Sequence, residues 1–130
     1  LVLQNAGPSS NSGMPEAGYL PIPKKLLAKG VKDMIRISDA RMSGTAFGTI
    51  ILHITPESNK KGPLAIVRNG DKIKLSEKNK SLDILISKEE IIARISKLTN
   101  QKNIYNRGYK KLYQESVLPA TQGCDFDFLK

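Results

Sequence analysis

The chain holds one cysteine, one histidine and no tryptophan. A single thiol, Cys124, excludes an internal disulfide and points to a reducing compartment, the cytoplasm. It also cannot build a four-cysteine metal site. The lone imidazole, His53, argues against a serine-hydrolase triad. His53 lies mid-run among alternating strand-like neighbours, where a packed or hydrogen-bonded ring competes with a base. Long apolar runs are absent too. None approaches the roughly 20 residues needed to span a bilayer, so no membrane partner is expected. There is no phosphate-binding P-loop, no dinucleotide fingerprint and no zinc-spaced Cys/His pair. Aromatics are sparse, three Phe and four Tyr. That scarcity matters because the net charge is +9. A nucleic-acid groove clusters its basic residues on one face and interleaves them with stacking aromatics. Here the 21 Lys and Arg are spread from Lys24 to Lys130, never more than two in a row. The charge reads as a solvated basic surface, and nucleic acid is not expected as a partner.

What is present suits one domain of 130 residues with a core of its own. The chain opens on Leu1-Val2-Leu3 without an initiator Met and reads as the end of something longer. Leu1–Gln4 looks like the close of a strand. Asn5 to Gly18 is dense in Gly, Pro, Ser and Asn and reads as one long loop, mobile when no ion organises it. Pro21 and Pro23 precede a short helix from Lys24, with Gly30 as its C-terminal cap. Val31 to Ser38 predicts the next strand, and Thr49 to Thr55 a further one, ended by Pro56. Leu64–Val67 and Lys72–Leu75 flank Asn69-Gly70, a hairpin signal. A polar turn at Ser76–Lys80 then leads to a third strand of a meander, Leu82–Ile86. The period changes at Ser87-Lys88-Glu89-Glu90, a capping box. Ile91, Ile92, Ile95 and Leu98 follow on one helical face. A second helix is expected over 108–117. The sum is a mixed α/β domain, strand-rich in the middle and flanked by helices. The hairpins favour antiparallel pairs, and the first strand–helix–strand unit allows one parallel pair.

Two places could carry chemistry. The stretch Asp39-Ala40-Arg41-Met42-Ser43-Gly44-Thr45 follows an apolar strand and presents hydroxyls at a sharp turn. Gly44 and Gly48 open backbone conformations there and let a ligand approach. An ordinary strand-to-strand connection has the same composition. A catalytic Ser43 would need a cation or oxyanion donors to lower its pKa. Glu16, in Gly13-Met14-Pro15-Glu16, could meet a hard cation such as Mg²⁺, which takes oxygen ligands and keeps waters or substrate oxygens elsewhere. A solvated surface charge is the competing reading. One glutamate cannot hold Mg²⁺ alone, so further ligands would come from outside this chain.

Several motifs in one order resemble the dihydroxy-acid dehydratase/phosphogluconate dehydratase family. They are Asn5-Ala6-Gly7-Pro8, Gly13-Met14-Pro15-Glu16, Ile37-Ser38-Asp39-Ala40-Arg41-Met42-Ser43-Gly44-Thr45, His53-Ile54-Thr55-Pro56-Glu57, Gly62-Pro63-Leu64-Ala65 and Asn69-Gly70-Asp71. The resemblance runs almost end to end. It implies residues 1–130 as the C-terminal domain of a longer enzyme, folded as the family's swivelling β/β/α barrel. It implies dehydration of a 2,3-dihydroxy acid to a 2-oxo acid with Mg²⁺ and an iron–sulfur cluster. The cluster's cysteines belong to an N-terminal part that this chain lacks, so the isolated chain is expected to be inactive. By resemblance Glu16 is a Mg²⁺ ligand, Ser43 the base and Thr45 a substrate contact. The partners implied are a small sugar acid, the N-terminal domain of the same enzyme and, at full length, further copies in a homo-oligomer. Asp39-Ala40-Arg41-Met42 and the ending Cys124-Asp125-Phe126-Asp127-Phe128-Leu129 look like the sugar-acid (pentonate) enzymes. The branched-chain amino-acid enzyme and a non-catalytic binding module are the alternatives. The chain departs from the family pattern at Ser9-Ser10-Asn11-Ser12 and at Ala17.

Overall fold

The computed structural model describes residues 1–16, 20–44, 46–99 and 104–129. Three short strands form a parallel sheet: β1 (Val2–Leu3), β2 (Arg36–Ser38) and β3 (Ile50–Ile51), in spatial order β1-β2-β3. Val2 faces Ile37 and Leu3 faces Ser38 in one pair. Arg36 faces Ile50 and Ile37 faces Ile51 in the other. Helix α1 (Lys24–Leu27) lies in the connection from β1 to β2, as parallel pairing requires a crossover. Both connections in this sheet are therefore parallel, one more than the sequence suggests.

The second sheet is a hairpin of β4 (Ile73–Ser76) and β5 (Ser81–Ile84), with Ile73 opposite Ile84 and Ser76 opposite Ser81. Its turn is held where Ser76 Oγ accepts from Asn79 N at 3.2 Å and Glu77 O from Lys80 N at 3.1 Å. The hairpin expected at Asn69-Gly70 does not form. Pro63–Ile66 is a 3-10 turn instead, with Pro63 at its start and Leu64 and Ile66 buried. Proline fixes φ and has no N–H for a strand ladder, so Gly62-Pro63 starts a turn of helix rather than a strand. The meander thus shrinks to two strands. The two sheets are separate among the described residues and do not close into a barrel, so the barrel architecture is not confirmed. The mixed α/β class is.

Helix α2 (Lys88–Ser96) starts as its capping box predicts: Ser87 Oγ accepts from Glu90 N at 3.2 Å. The apolar face the periodicity suggests is only partly covered, with Ile91 and Leu98 half-buried and Ile92 69% exposed. Arg94 adds a polar anchor. Its guanidinium reaches both Asp71 oxygens at 2.5 and 3.1 Å, Glu90 Oε1 at 2.6 Å and Ile66 O at 2.9 Å. A fork of donors meeting a carboxylate bidentately fixes orientation as well as position. Helix α3 (Gly108–Ser116) is tied back by Gln114, whose Nε2 donates to Asn11 Oδ1 at 2.8 Å.

The buried centre is small and unusually polar. Ala6, Met14, Ile37, Ala40, Leu64, Ile66 and Val117 are its apolar members, beside buried Ser10, Arg36, Ser38, Asp39, Glu57 and Ser58. Such groups must be satisfied internally, and their partners define the site.

Candidate functional site

β1 and β2 run parallel, so their carboxyl ends share one edge of the sheet. In open parallel sheets ligands bind outside that edge, in the loops that leave the strands. Here the loop leaving β1 carries Glu16, and the loop leaving β2 carries Ser43. The structure brings them together: Glu16 and Arg41 form an isolated parallel bridge. Arg41 Nη2 lies 3.8 Å from Glu16 Oε2, with both side chains about half exposed. An exposed pair of this kind contributes at most about 1 kcal/mol. Its significance is position, because it sets the carboxylate loop beside the chain two residues ahead of Ser43.

Each loop is anchored by buried charge. Asp39, 0% exposed, accepts from Ala6 N at 3.1 Å and from Ser58 N at 2.8 Å. One carboxylate thereby pins the start of the Glu16 loop and the segment after β3 to the end of β2. Glu57 accepts from Ser9 N through both oxygens, at 3.1 and 3.0 Å. Asn59 Nδ2 donates to Ser9 O and Ser9 Oγ. Gly7 stands against the Glu57 carboxylate, where a Cβ would collide. Ala6 to Ser10 are consequently all buried. The segment from Asn5 is a loop, as its composition predicts, but Ala6–Ser10 and Met14 within it are buried.

The base of the Ser43 loop is closed by Arg36, which is 1% exposed. Its Nη2 donates to Asp33 Oδ1 at 2.7 Å and to Phe47 O at 2.9 Å. Asp33 Oδ2 accepts from Thr49 N and Thr49 Oγ1, both at 3.0 Å. The Thr49 N–H bond is the main reason Asp33 titrates below the ordinary carboxylate range. Gly48 has φ +98, and a Cβ there would run into Arg36 and Asp33. Gly44 has open space and no left-handed φ, so only the second of the two glycines is needed for shape. Ser43 itself is half-buried, and its carbonyl accepts from Ala46 N at 3.0 Å in a tight turn. Thr45 lies outside the described residues.

One other sequence expectation changes. His53 is not a mid-strand core residue: it is exposed, beyond the end of β3, with φ +54. Its N–H still follows β2, donating to Ala40 O at 3.2 Å, and it rims an apolar cavity of about 320 Å³ between the sheet and the hairpin. Cys124 donates to Met14 Sδ at 3.7 Å, and burial pushes its thiol up. A thiol held protonated is neither a nucleophile nor a ready metal ligand.

Glu57 carries a pH signature. Burial raises its carboxyl above the usual range, against the pull of the Ser9 hydrogen bonds. A folded-state value above the unfolded one means the native protein binds the extra proton, so stability falls as pH rises from the unfolded value through the folded one. Glu57→Gln removes that component. The wild-type minus Glu57→Gln difference in unfolding free energy, followed by urea denaturation at pH 4 to 7 (roughly the carboxylate window), should decline with rising pH. A flat difference would contradict the burial of this carboxyl.

A family model described as "Dihydroxy-acid/6-phosphogluconate dehydratase C-terminal" matches residues 1–124. The chain belongs to that family. It is 49% identical over 130 residues to the 6-deoxy-6-sulfo-D-gluconate dehydratase of Pseudomonas putida. It is 47% identical over 130 residues to the L-arabinonate dehydratase of Rhizobium leguminosarum bv. trifolii (strain WSM2304). To the dihydroxy-acid dehydratase of Francisella tularensis subsp. tularensis (strain WY96-3418) it is 36% identical over 128 residues. These alignments cover 98 to 100% of this chain and 22% of each relative. Anchors that the sequence reading missed are Arg36, Asp39 and Glu57 as buried charges. Asp39 and Glu57 lie in the family motifs, and Arg36 immediately precedes one of them.

Proposed function

We propose that the chain is the C-terminal, ligand-contacting part of a hydro-lyase that dehydrates a sugar acid to a 2-oxo acid. The observation that carries this is the Glu16–Arg41 bridge, which joins the carboxylate loop to the serine loop at the sheet's carboxyl edge. The higher identity to the sugar-acid dehydratases than to the dihydroxy-acid dehydratase favours a sugar acid over the branched-chain substrate.

The implied Mg²⁺ fits in part. Glu16 is exposed and offers one carboxylate, while no group of three or more His, Cys, Asp or Glu suited to a metal occurs among the described residues. Glu16 would be one ligand, and the others come from elsewhere in the enzyme. When bound, Mg²⁺ supplies Lewis-acid polarisation of the substrate's carboxylate and 2-hydroxyl. The implied iron–sulfur cluster does not fit this chain, whose sole cysteine is sheltered against Met14. The role assigned to Ser43 is to take the C2 proton on a deprotonated Oγ while the 3-hydroxyl leaves as hydroxide; that proton then passes to the hydroxide to give water, and the enol that remains tautomerises to the 2-oxo acid.

The rest of the enzyme is the partner this reading requires. Phe47, at the end of the Ser43 loop, is 70% exposed, and a large apolar side chain exposed beside that loop supports contact with further protein. No described helix is long and apolar enough to cross a membrane.

The test is turnover by the complete enzyme with L-arabinonate, other aldonates and a branched 2,3-dihydroxy acid. Aldonates should be preferred, and Glu16→Gln should raise the Mg²⁺ concentration for half-maximal activity by about tenfold or more, with an unchanged melting temperature. Preference for the branched acid would select the alternative substrate, and a Glu16→Gln enzyme with wild-type Mg²⁺ dependence would remove Glu16 from the metal site.

A further inference from the structure

The Glu16 loop is held in two places by two different parts of the chain. Asp39 and Glu57 fix Ala6 and Ser9 in its first half. Its second half, from Asn11 to Met14, meets α3 and the segment after it. Gln114 Nε2 donates to Asn11 Oδ1 at 2.8 Å and, more distantly, to Ser10 O at 3.4 Å. The Tyr113 ring lies beside Gly13, 3.5 Å from where a Cβ would stand. Cys124 donates to Met14 Sδ at 3.7 Å. Tyr113 is in turn set edge-on to Phe126, with ring centres 6.0 Å apart, and Phe126 pairs through its backbone with Val117.

The second half needs such a hold. Gly13 and Met14 are both left-handed, with φ +66 and +52, and this turn stands two residues ahead of Glu16. A residue with a side chain disfavours that conformation, which persists where the surroundings enforce it. Met14 is buried, and its N–H donates to Gly7 O at 3.1 Å. Past the turn, the Glu16 side chain has only a half-exposed ion pair with Arg41, too weak to fix the carboxylate. The backbone bridge to Arg41 holds Glu16 on one side, and the turn ahead of it holds the other.

We propose that Gln114 is a positioning residue for Glu16: by bonding Asn11 it keeps the loop in the one arrangement that presents the carboxylate beside the Ser43 loop. The role rests on the dehydratase reading, in which Glu16 is a metal ligand. Affinity falls in proportion to the population of the competent arrangement, and one hydrogen bond shifts such a population by about three- to tenfold. Global stability need not depend on this bond. Gln114 Oε1 is buried without a partner among the described residues, and half-buried Asn11 can take up water once freed. Gln114→Leu removes the unsatisfied acceptor together with the donor, so the wild-type melting temperature is expected.

The test uses the complete enzyme carrying Gln114→Leu, Asn11→Ala or both. Hydrogen–deuterium exchange without metal and Mg²⁺-dependent turnover are the readouts. Peptides covering 11–16 should exchange about three- to tenfold faster, and those covering 6–10 at the wild-type rate. The Mg²⁺ concentration for half-maximal activity should rise by a similar factor, with kcat recovered at saturating Mg²⁺. The double variant should match either single one, because the two residues share one contact. Unchanged exchange at 11–16, or faster exchange with an unchanged Mg²⁺ requirement, would overturn the role. Faster exchange at 6–10 with a lowered melting temperature would also overturn it, making Gln114 a structural residue. Glu16→Gln, measured alongside, tells two failures apart. If it raises the Mg²⁺ requirement and Gln114→Leu does not, the positioning role alone falls; a wild-type requirement in Glu16→Gln removes the metal reading and this role with it.

Discussion

Ser43→Ala is expected to lower kcat of the complete dehydratase by about 10²–10⁴-fold, the range for losing a general base. The loss should fall on kcat rather than KM, because the hydroxyl is needed when the C2 proton moves and not for holding substrate. Stability should barely change. Ser43 is half-buried, and the turn it starts is closed by its backbone carbonyl, which accepts from Ala46 N and survives the substitution. Gly44 beside it has open space, so the loop tolerates small side-chain changes. The decisive measurement is exchange of the substrate's C2 proton with solvent deuterium alongside steady-state turnover. Both should fall together, with the melting temperature and Mg²⁺ dependence of the wild type. A Ser43→Ala enzyme that keeps exchange and turnover within a few-fold makes the serine a turn residue and assigns the base elsewhere.

Asp39→Ala should have the opposite signature, a collapse of stability with activity lost as a consequence. The carboxylate is fully buried and satisfies two backbone N–H groups, Ala6 N and Ser58 N. Hydrogen bonds to a charged acceptor contribute about 1.5–3 kcal/mol each, and removing the acceptor strands both donors. A loss of about 3 kcal/mol or more is therefore expected, a large fraction of a typical domain's stability of about 5–15 kcal/mol. Asp39→Asn keeps one acceptor oxygen but turns an amide NH₂ toward one of the two donors, so it should recover little. The exposed Asp83, in β5, is the control, and Asp83→Asn should stay within about 0.5 kcal/mol. Urea denaturation of the three variants checks this. If Asp39→Ala unfolds at the wild-type midpoint, the clamp between the two loops contributes nothing to the fold. Together the two variants separate the residue that acts at the site from the residue that builds it.

The features legible in the sequence are those whose physics is local. Ser87 and Glu90 sit three apart, and the cap they form needs nothing beyond one turn of helix. Gly30, with φ +81 just past α1, and the polar turn at 77–80 are of the same kind. The turn at Asn69-Gly70 forms, with Asp71 N donating to Arg68 O at 3.1 Å, but no hairpin follows from it, because Pro63–Ile66 on its near side is a 3-10 turn rather than a strand. Composition read Ala6–Ser10 correctly as loop but gave no sign that the loop is buried. The motifs at Glu16 and Ser43 were readable as candidates, yet nothing in their spacing, 27 positions apart, says that they meet.

By itself the sequence determined the mixed α/β class, the helix starts, the family and the two candidate loops, because each depends on neighbouring residues or on ordered motifs. Only the tertiary structure decided that β1, β2 and β3 pair in parallel, which puts both loops at one edge of the sheet. It also decided that Arg36, Asp39 and Glu57 are buried. A charged side chain has no local preference for the interior. It goes there only when N–H groups from distant segments, or for Arg36 a carboxylate and carbonyls, converge to replace its water, and that convergence is a property of the whole fold.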